Sequence, residues 1–273
     1  MWRYGWVLLL LAASACGNDR VLDPAAASDT VRSTGTVMVL DDGGGPQLCL
    51  GAIAESMPPQ CEGLDVTGWD WADHPGHEKQ GGTRWGEFQV TGTLDDTTFA
   101  VTDAVPADDA SVPPTEEEVD FSSPCPEPEG GWRVLDPERT TFETQEATIS
   151  AAHRLPGFSD VWLDQTRVAR PMNDPRKLIL NVRVTGDPDA AEKELRKTWG
   201  GMLCVSRATV SKEELEGIQE ELAGQPYHVS SGVSLGVVHL RVLLDDGDLQ
   251  QRLDETYGKG TVVVDGAVFE SIG

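Results

Sequence analysis

The pattern of apolar and polar positions predicts β-structure in the first part of the chain, over residues 34–103. Short runs of alternating apolar and polar residues are separated by turns rich in glycine and aspartate, and they cover residues 36–40, 47–53, 63–71, 86–94 and 97–102. The last two runs flank Asp95 and Asp96 and predict a hairpin. About five short strands without a helical period predict a small β-barrel or sandwich, and this size and strand count favour an OB-like barrel.

A second pattern repeats within residues 131–273, where residues 181–200 match residues 239–258 at a constant shift of 58. The identical residues are Arg183, Val184, Asp187, Leu195, Thr198 and Gly200, which recur as Arg241, Val242, Asp245, Leu253, Thr256 and Gly258. Each copy shows a strand, an aspartate helix cap, an amphipathic helix, a glycine stop and a second strand. The sequence therefore predicts a duplicated βαβ unit, with repeats at about 178–206 and 236–264.

Two βαβ units in one domain predict a ferredoxin-like α+β sandwich, so we expect an α+β multidomain chain. A further helix is predicted at residues 211–222, between the copies, with a serine cap and a glutamate at the capping-box position. Ahead of the first copy, residues 140–153 look helical and residues 157–168 strand-like. We interpret these elements as additions to the duplicated domain.

Two segments lack a sustained apolar period and predict connections rather than folded units. Residues 104–130 are rich in proline and acidic residues and contain no lysine or arginine, which predicts an inter-domain linker. The small polar residues that precede the barrel predict a flexible tether that ends at residue 33. The predicted order is tether, barrel domain (34–103), acidic linker (104–130) and duplicated domain (131–273).

The chain begins with an apolar run, residues 6–13, behind Arg3. This order is typical of a secretory signal peptide, and the run is too short to span a bilayer as a helix. The stretch Leu8-Leu-Leu-Leu-Ala-Ala-Ser-Ala-Cys16 resembles the cleavage and lipid-attachment site of bacterial lipoproteins, with Ala13 where that pattern usually has leucine. Leader and composition together resemble those of uncharacterised actinobacterial lipoproteins.

The resemblance to lipoproteins implies three assignments. Residues 1–15 would be a signal peptide, Cys16 would carry the lipid, and residues 16–33 would form a lipidated tether. The protein would then lie at the extracytoplasmic face of the cell membrane, held by its lipid. No resemblance to a family of known activity covers the remainder of the chain.

The cysteine count fits this location. The chain has five cysteines; with Cys16 assigned to the lipid, four remain, and four thiols allow three pairings. We favour Cys49–Cys61, which bracket a short proline-containing loop, and Cys125–Cys204 by elimination. None of these cysteines lies in a C-x-x-C pair, so zinc binding by them is not expected.

The chain is strongly acidic, with a formal net charge of −25. Removal of the leader with Arg3 leaves 20 basic and 46 acidic residues, a charge of −26. Such a surface repels nucleic acid and anionic lipid headgroups. We therefore expect no nucleic-acid partner; the expected partners are the membrane, through the lipid, and a protein or other component of the cell envelope.

One loop of the barrel domain carries side chains that bind metals in other proteins. The candidate ligands are Asp73, His74, His77 and Glu78. Their oxygen and imidazole groups suit a divalent cation, but Pro75 and Gly76 exclude a helical H-E-x-x-H arrangement and the sequence identifies no further ligand. A polar solvent loop is the simpler interpretation, and no cofactor is expected.

Three tryptophans and two arginines are candidates for binding. Trp69, Trp71 and Trp85 frame the histidine loop; exposed, they would stack on sugars or anchor a protein partner, and buried, they would fill the barrel core. Arg183 and Arg241 hold the same position in both repeats and either face a shared ligand or pair with carboxylates.

A G-x-S-x-G string, Gly232 to Gly236, places Ser234 where hydrolases carry a nucleophile. That motif needs a following helix and a later histidine, whereas residues 237–244 predict a strand and no histidine follows His239. We therefore predict no catalytic residue.

The sequence favours a lipid-anchored extracellular binding protein without catalysis and with an unknown ligand. One alternative is a metal-dependent envelope hydrolase, which requires His74 and His77 to converge with a further histidine or carboxylate. Another is a structural or regulatory envelope protein whose duplicated domain mediates self-association.

Overall fold

The computed structural model describes residues 21–22, 30–95, 97–110, 119–168 and 173–272. The predicted signal peptide, Cys16 and most of the predicted tether lie outside these residues. The described part is a mixed α+β structure, and none of its helices is long and apolar enough to cross a membrane.

The first part of the fold is a closed barrel of five strands, as the alternating pattern predicts. The strands are β2 (Val37–Asp41), β3 (Gln47–Cys49), β4 (Gly63–Thr67), β6 (Thr83–Leu94) and β7 (Thr98–Pro106), in the order β6-β2-β3-β4-β7 with β7 pairing back to β6. The β4–β7 pair is parallel and the other pairs are antiparallel. A short strand, β5 (Glu78–Gln80), adds to β6. Alternate residues of each strand point inward, so in β4 Leu64 and Val66 are buried while Asp65 is exposed.

A three-residue strand, β1 (Val31–Ser33), joins the barrel to the end of the chain. It pairs antiparallel with β13 (Val262–Ser271) on one side and with β6 on the other, so that ten strands form one sheet. Strand β13 supplies Phe269 to the barrel core, where its ring stacks on Phe99 with 4.9 Å between the ring centroids. Residues 31–33 therefore belong to the fold, and the predicted end of the tether at residue 33 is wrong.

The second part of the chain is a duplication of a larger unit than the sequence predicts. Each copy runs helix, strand, strand, helix, strand; its first two strands are antiparallel, and its last strand is parallel to the middle one. The first repeat comprises α1 (Phe142–Ala152), β8 (Phe158–Asp164), β9 (Ile179–Val184), α2 (Pro188–Leu195) and β10 (Met202–Arg207). The second repeat comprises α3 (Lys212–Ala223), β11 (His228–Ser234), β12 (Val237–Asp245), α4 (Leu249–Tyr257) and β13. A 3₁₀ turn, Pro137–Arg139, precedes α1.

The turn after the first helix of each repeat confirms this correspondence. Gly157 and Tyr227 lie 70 residues apart and have φ angles of 67° and 64°. The Gly157 carbonyl accepts the Thr185 N–H at 2.8 Å, and the Tyr227 carbonyl accepts the Leu243 N–H at 2.6 Å. The interpretation of the helix at 211–222 and the elements at 140–168 as additions is therefore wrong, because they are the first halves of the two repeats.

The constant shift of 58 fails in these first halves for a simple reason. Strands β8 and β9 are joined by residues 165–178, whereas β11 and β12 are joined by residues 235–236 alone. The shift is therefore 70 before this connection and 58 after it. The observed duplication extends the predicted one rather than replacing it.

The described strands of the two repeats lie in different sheets. Strands β8, β9 and β10 form a sheet of their own in the order β10-β9-β8, while β11, β12 and β13 belong to the ten-stranded sheet. Each repeat buries apolar residues of its own sheet and helices, such as Val182 with Leu195 in the first and Leu240 with Leu253 in the second. The edge of β13 is occupied by β1. The arrangement thus differs from the single ferredoxin-like sandwich expected from two βαβ units.

Residues 119–125, the second part of the predicted linker, lie on the first repeat and are called the strap below. The Trp162 indole donates to the Phe121 carbonyl at 3.0 Å, and the Ser123 N–H donates to Asp164 Oδ2 at 2.9 Å. Cys125 is bonded to Cys204 in β10. The predicted linker is therefore fixed to the sheet of the first repeat at its second end.

Candidate functional site

The two tryptophans before the histidine loop fill one end of the barrel. Trp71 is 6% exposed, and its Nε1 donates to Asp41 Oδ2 at 3.2 Å. Trp69 packs edge-on against Phe88, with 5.0 Å between the ring centroids. Both indoles pack in the barrel core. Of the two interpretations of Trp69 and Trp71, the geometry supports core packing.

The imidazole rings of His74 and His77 fold back onto these indoles. The His74 ring stacks on Trp69 with 3.8 Å between the centroids, and the His77 ring lies 4.9 Å from that of Trp71. Nδ1 of His77 is 2.9 Å from the His74 carbonyl oxygen. Burial lowers the pKa of His74, and the opposing effect of nearby carboxylates, Asp73 first, does not restore it. His74 is therefore a neutral packing ring at pH 7.

The carboxylates of the loop do not complete a metal site with these histidines. Asp73 is exposed, and Glu78 Oε1 accepts a hydrogen bond from Trp85 Nε1 at 3.2 Å. In the part of the chain that the structure describes, no three His, Cys, Asp or Glu side chains come close enough together to hold a metal ion. The convergence that the hydrolase alternative requires is not found among these residues.

Asp41 ties the aromatic loop to the turn that follows β2. Its carboxylate accepts the N–H groups of Gly43 at 2.9 Å and Gly45 at 3.3 Å besides the Trp71 indole, and Arg84 lies 3.9 Å away. Burial alone would raise the pKa of Asp41, but these hydrogen bonds and the Arg84 charge outweigh it and hold the pKa below its usual value. The ionised carboxylate thus fixes Trp71 at the end of the barrel.

Trp85 packs against the first disulfide on the outer face of the barrel. It is 6% exposed and clusters with Leu40 and Cys49. Cys49 is bonded to Cys61 and Cys125 to Cys204, so both predicted pairs are confirmed. Trp85 is therefore a packing residue.

Arg183 and Arg241 hold matching positions but have different surroundings. The Arg183 guanidinium lies over the Trp162 ring, 4.7 Å from its centroid, and donates to the Leu235 carbonyl at 2.5 Å. It thereby joins the first repeat to the β11–β12 turn of the second. The Arg241 side chain is exposed and makes no hydrogen bond or ion pair with the described residues. Arg183 therefore serves the contact between repeats.

Ser234 is the last residue of β11. A two-residue turn follows, and then β12, the strand predicted there. A nucleophile elbow needs a strand, a turn and then a helix, so the local order around Ser234 is that of a β-hairpin.

A dipeptide from the N-terminal segment, Val21–Leu22, fills a groove between α3 and α4, called the filled groove below. Leu22 is 1% exposed and Val21 7%. The apolar residues of the helices in the same cluster are Leu215, Leu222, Leu249 and Leu253. The Leu22 N–H donates to Gln225 Oε1 at 3.0 Å, and Arg252 Nε donates to the Val21 carbonyl at 3.3 Å. The second repeat thus holds this dipeptide by its side chains and by its backbone.

The first repeat has an open groove at the matching place, between the end of α1 and helix α2. Its volume is ≈ 520 Å³. The lining residues are Ala151, Arg154, Leu155, Pro156, Val184, Gly186, Asp187, Ala190, Ala191 and Glu194. Under the shifts of 70 and 58, Leu155 corresponds to Gln225 and Glu194 to Arg252. The residues that bind the dipeptide backbone in the second repeat therefore have counterparts that line this open groove.

A larger hollow of ≈ 620 Å³ lies between the α1–β8 turn and the start of α3. Its lining is mostly polar, with Lys212 and three glutamates. Glu214, one of them, bonds to the Ser211 hydroxyl at 2.6 Å in the capping box of α3, and this bond lowers the pKa of Glu214. Ser211 and Glu214 thus cap the start of α3, and we assign this hollow no ligand.

Neither groove is evident from the sequence. Leu22 lies in the predicted tether and is separated from Gln225 by 203 residues. The sequence signal that could have pointed to them is the repeat, because the shift of 58 aligns Glu194, which lines the open groove, with Arg252, which binds the dipeptide. No known protein family, curated protein or solved structure was found to match this chain.

Proposed function

We propose that this chain is a non-catalytic binding protein that is attached, through a lipid on Cys16, to the extracytoplasmic face of a bacterial cell membrane. The observation that carries the proposal is the cysteine pairing. Two disulfides use four of the five cysteines, and the fifth is the cysteine of the lipoprotein-like leader. Disulfides persist in oxidising compartments outside the cytoplasm, so the pairing and the leader support the same location.

The docked dipeptide supports a short distance between the anchor and the fold. Val21 follows Cys16 by five residues, and an extended chain covers about 3.5 Å per residue. A lipid on Cys16 would then lie within roughly 18 Å of the docked Val21. On this proposal the second repeat sits beside the membrane surface instead of at the end of a tether that runs to residue 33.

We further propose that the barrel is OB-like. Numbered along the chain, its strands follow the cyclic order 1-2-3-5-4, with the third and fifth parallel, which is the Greek-key type of that class. OB-like barrels bind ligands on their second and third strands. Here Asp65 of the third strand and the preceding Glu62 expose carboxylates on that surface. The aromatic rings that could stack on a ligand, those of Trp69 and Trp71, pack in the core instead. We therefore assign the barrel a structural role and the binding role to the repeats.

Metabolic labelling with a clickable fatty-acid analogue, in bacteria that express the full chain, tests the anchor. We expect label on the wild-type protein and on a Cys49→Ser/Cys61→Ser control, and no label on Cys16→Ser. Unlabelled wild-type protein, or a mature chain that begins at another residue, would contradict the anchoring part of the proposal.

A further inference from the structure

We infer that the open groove of the first repeat binds an extended peptide segment of a partner protein that carries two adjacent aliphatic side chains. This inference names a ligand class for the binding role proposed above, so it rests on that role, but it does not require the lipid. It starts from the duplication, because the filled groove of the second repeat already holds such a segment, Val21–Leu22.

The two grooves are formed by the same parts of the repeated unit. In each repeat the groove lies between the end of the first helix, with its following turn, and the second helix. The turns carry Pro156 and Pro226 at matching positions, and both continue through a residue with left-handed backbone. A chain segment that fits one groove therefore meets a similarly placed cleft in the other.

The open groove has apolar residues at three positions where the second repeat has polar or charged ones. Ala151, Leu155 and Ala190 line it, at positions where the second repeat has Glu221, Gln225 and Asp248. A smaller residue, Ala191, stands where the second repeat has Leu249. The volume of ≈ 520 Å³ is ample for two aliphatic side chains, since pockets of roughly 300–1,000 Å³ hold whole small ligands.

The rims of the open groove offer charges that complement a peptide backbone. Arg154, on the α1 side, is an exposed donor where the second repeat has Gly224. Glu194, on the α2 side, is an acceptor where the second repeat has the donor Arg252. Glu194 pairs with Lys197 at 2.5 Å through Oε2, but exposed pairs of this kind are weak. Donor and acceptor thus change sides, and we expect the bound peptide to run in the direction opposite to Val21–Leu22.

The occupant comes from another chain. The Val21–Leu22 segment is buried in its own second repeat, so it does not reach the first. A second copy of this protein keeps the same segment equally buried. A partner protein with an exposed aliphatic pair is therefore the assignment that the structure supports.

Titration by NMR spectroscopy tests the inference on the mature chain with Cys16→Ser and both disulfides formed. The probes are an acetylated, amidated hexapeptide with the sequence of residues 19–24 and a second peptide with that sequence reversed. We expect amide shifts at Ala151 and Ala190, with tighter binding of the reversed peptide. A peptide with serine in place of both aliphatic residues should leave these amides unshifted.

Two matched variants locate the site. Ala190→Arg places a long side chain in the open groove, whereas Ala147→Arg places one on an exposed position of α1 that does not line it. We expect Ala190→Arg to weaken binding by about tenfold or more and Ala147→Arg to leave it unchanged. Circular dichroism checks that both variants fold.

Three outcomes overturn the inference: no shifts with either peptide up to about 1 mM, equal binding to the Ala190→Arg variant, or shifts confined to the filled groove. Dimerisation of the peptide-free chain through Ala151 and Ala190, seen by sedimentation, overturns the assignment to a partner protein in favour of a second copy. Absence of fatty-acid label does not affect these titrations, so failure of the anchor and failure of the groove are distinguishable.

Discussion

Tyr227 has the left-handed backbone conformation of Gly157, its counterpart in the first repeat, with φ of 64° against 67°. For a residue with a Cβ atom this conformation costs about 1–2 kcal/mol. Tyr227 is held in it because its carbonyl accepts the Leu243 N–H at 2.6 Å and its side chain packs against the cores of both the barrel and the second repeat. The same turn is thus maintained in the first repeat by the conformational freedom of Gly157 and in the second repeat by the packing of Tyr227.

The first prediction concerns this turn. In Gly157→Ala the new Cβ would combine a φ of 67° with a position 2.2 Å from Thr185 Oγ1. We expect the free energy of unfolding to fall by about 2–4 kcal/mol, measured by urea denaturation. Gly186→Ala is the control, because its Cβ would meet nothing closer than the Pro156 carbonyl oxygen at 3.6 Å. Equal losses in both variants would show that the turn is not the cause.

The second prediction is a gain in the free energy of unfolding. Gly217 lies in the middle of α3, and a Cβ added there meets no atom within 4 Å. Alanine restricts the unfolded chain more than glycine does, so Gly217→Ala should raise the free energy of unfolding by about 0.5–1 kcal/mol. The mirror variant, Ala147→Gly on the exposed side of α1, should lower it by a similar amount, and thermal unfolding measures both.

The docked dipeptide gives a third prediction. Leu22 is 1% exposed among aliphatic residues of α3 and α4, so Leu22→Ala should lower the free energy of unfolding by about 2–4 kcal/mol. Hydrogen exchange should quicken in both helices. Ile272→Ala, which truncates a residue that is 43% exposed at the other end of the chain, should change little. If Leu22→Ala behaves like this control, Val21–Leu22 does not dock as described.

Asp41 gives a prediction about pH. Its pKa in the folded protein lies below the usual 3.8, so the ionised carboxylate stabilises the fold above that pH, and this contribution is lost as the pH falls through the folded-state pKa. Asp41→Asn should therefore lower the free energy of unfolding at pH 7 by about 1 kcal/mol, and the gap from wild type should close in acid. A gap that stays constant from pH 7 to about pH 2 would contradict the assigned role. The exposed neighbour variant, Asp42→Asn, is the control.

The disulfides give a fifth prediction. They link residues 79 apart in the case of Cys125–Cys204 and 12 apart in the case of Cys49–Cys61. A longer closed loop restricts the unfolded chain more. Replacement of Cys125 and Cys204 by alanine should therefore lower the free energy of unfolding by about 4–5 kcal/mol, and replacement of Cys49 and Cys61 by about 3 kcal/mol. Guanidinium denaturation of the two double variants compares them, and an equal cost would indicate that packing of the strap, not chain entropy, dominates.

The parts of the fold that sequence predicts are those with local signals. Strand β4 is predictable because burial of alternate residues gives its apolar positions a period of two. The second halves of the repeats are visible because Asp187 recurs as Asp245 and Gly200 as Gly258, although only Asp187 is a helix N-cap and only Gly258 a helix C-cap in the structure. The first halves escape detection since the longer β8–β9 connection changes the shift, and little but Pro156 and Pro226 remains in common.

Long-range features are beyond such signals. Val21 and Leu22 are two apolar residues in a polar stretch and create no period, while their partners lie some 200 residues away. The same holds for β1, whose pairing with β13 joins the second repeat to the barrel. At the candidate site, residue type does not reveal the role of a side chain either. The sequence does not distinguish a histidine that stacks on an indole, as His74 does, from one that binds a metal.

Strand β1 has a consequence for the order of folding. Its Arg32 bonds to Glu270 of β13 at 2.7 Å, across 238 residues of sequence. A chain delivered N-terminus first, from a ribosome or through a membrane pore, must keep one edge of β1 unsatisfied until β13 arrives. The first of the described strands is thus completed by the last of them, and the ten-stranded sheet forms only after β13 has been delivered.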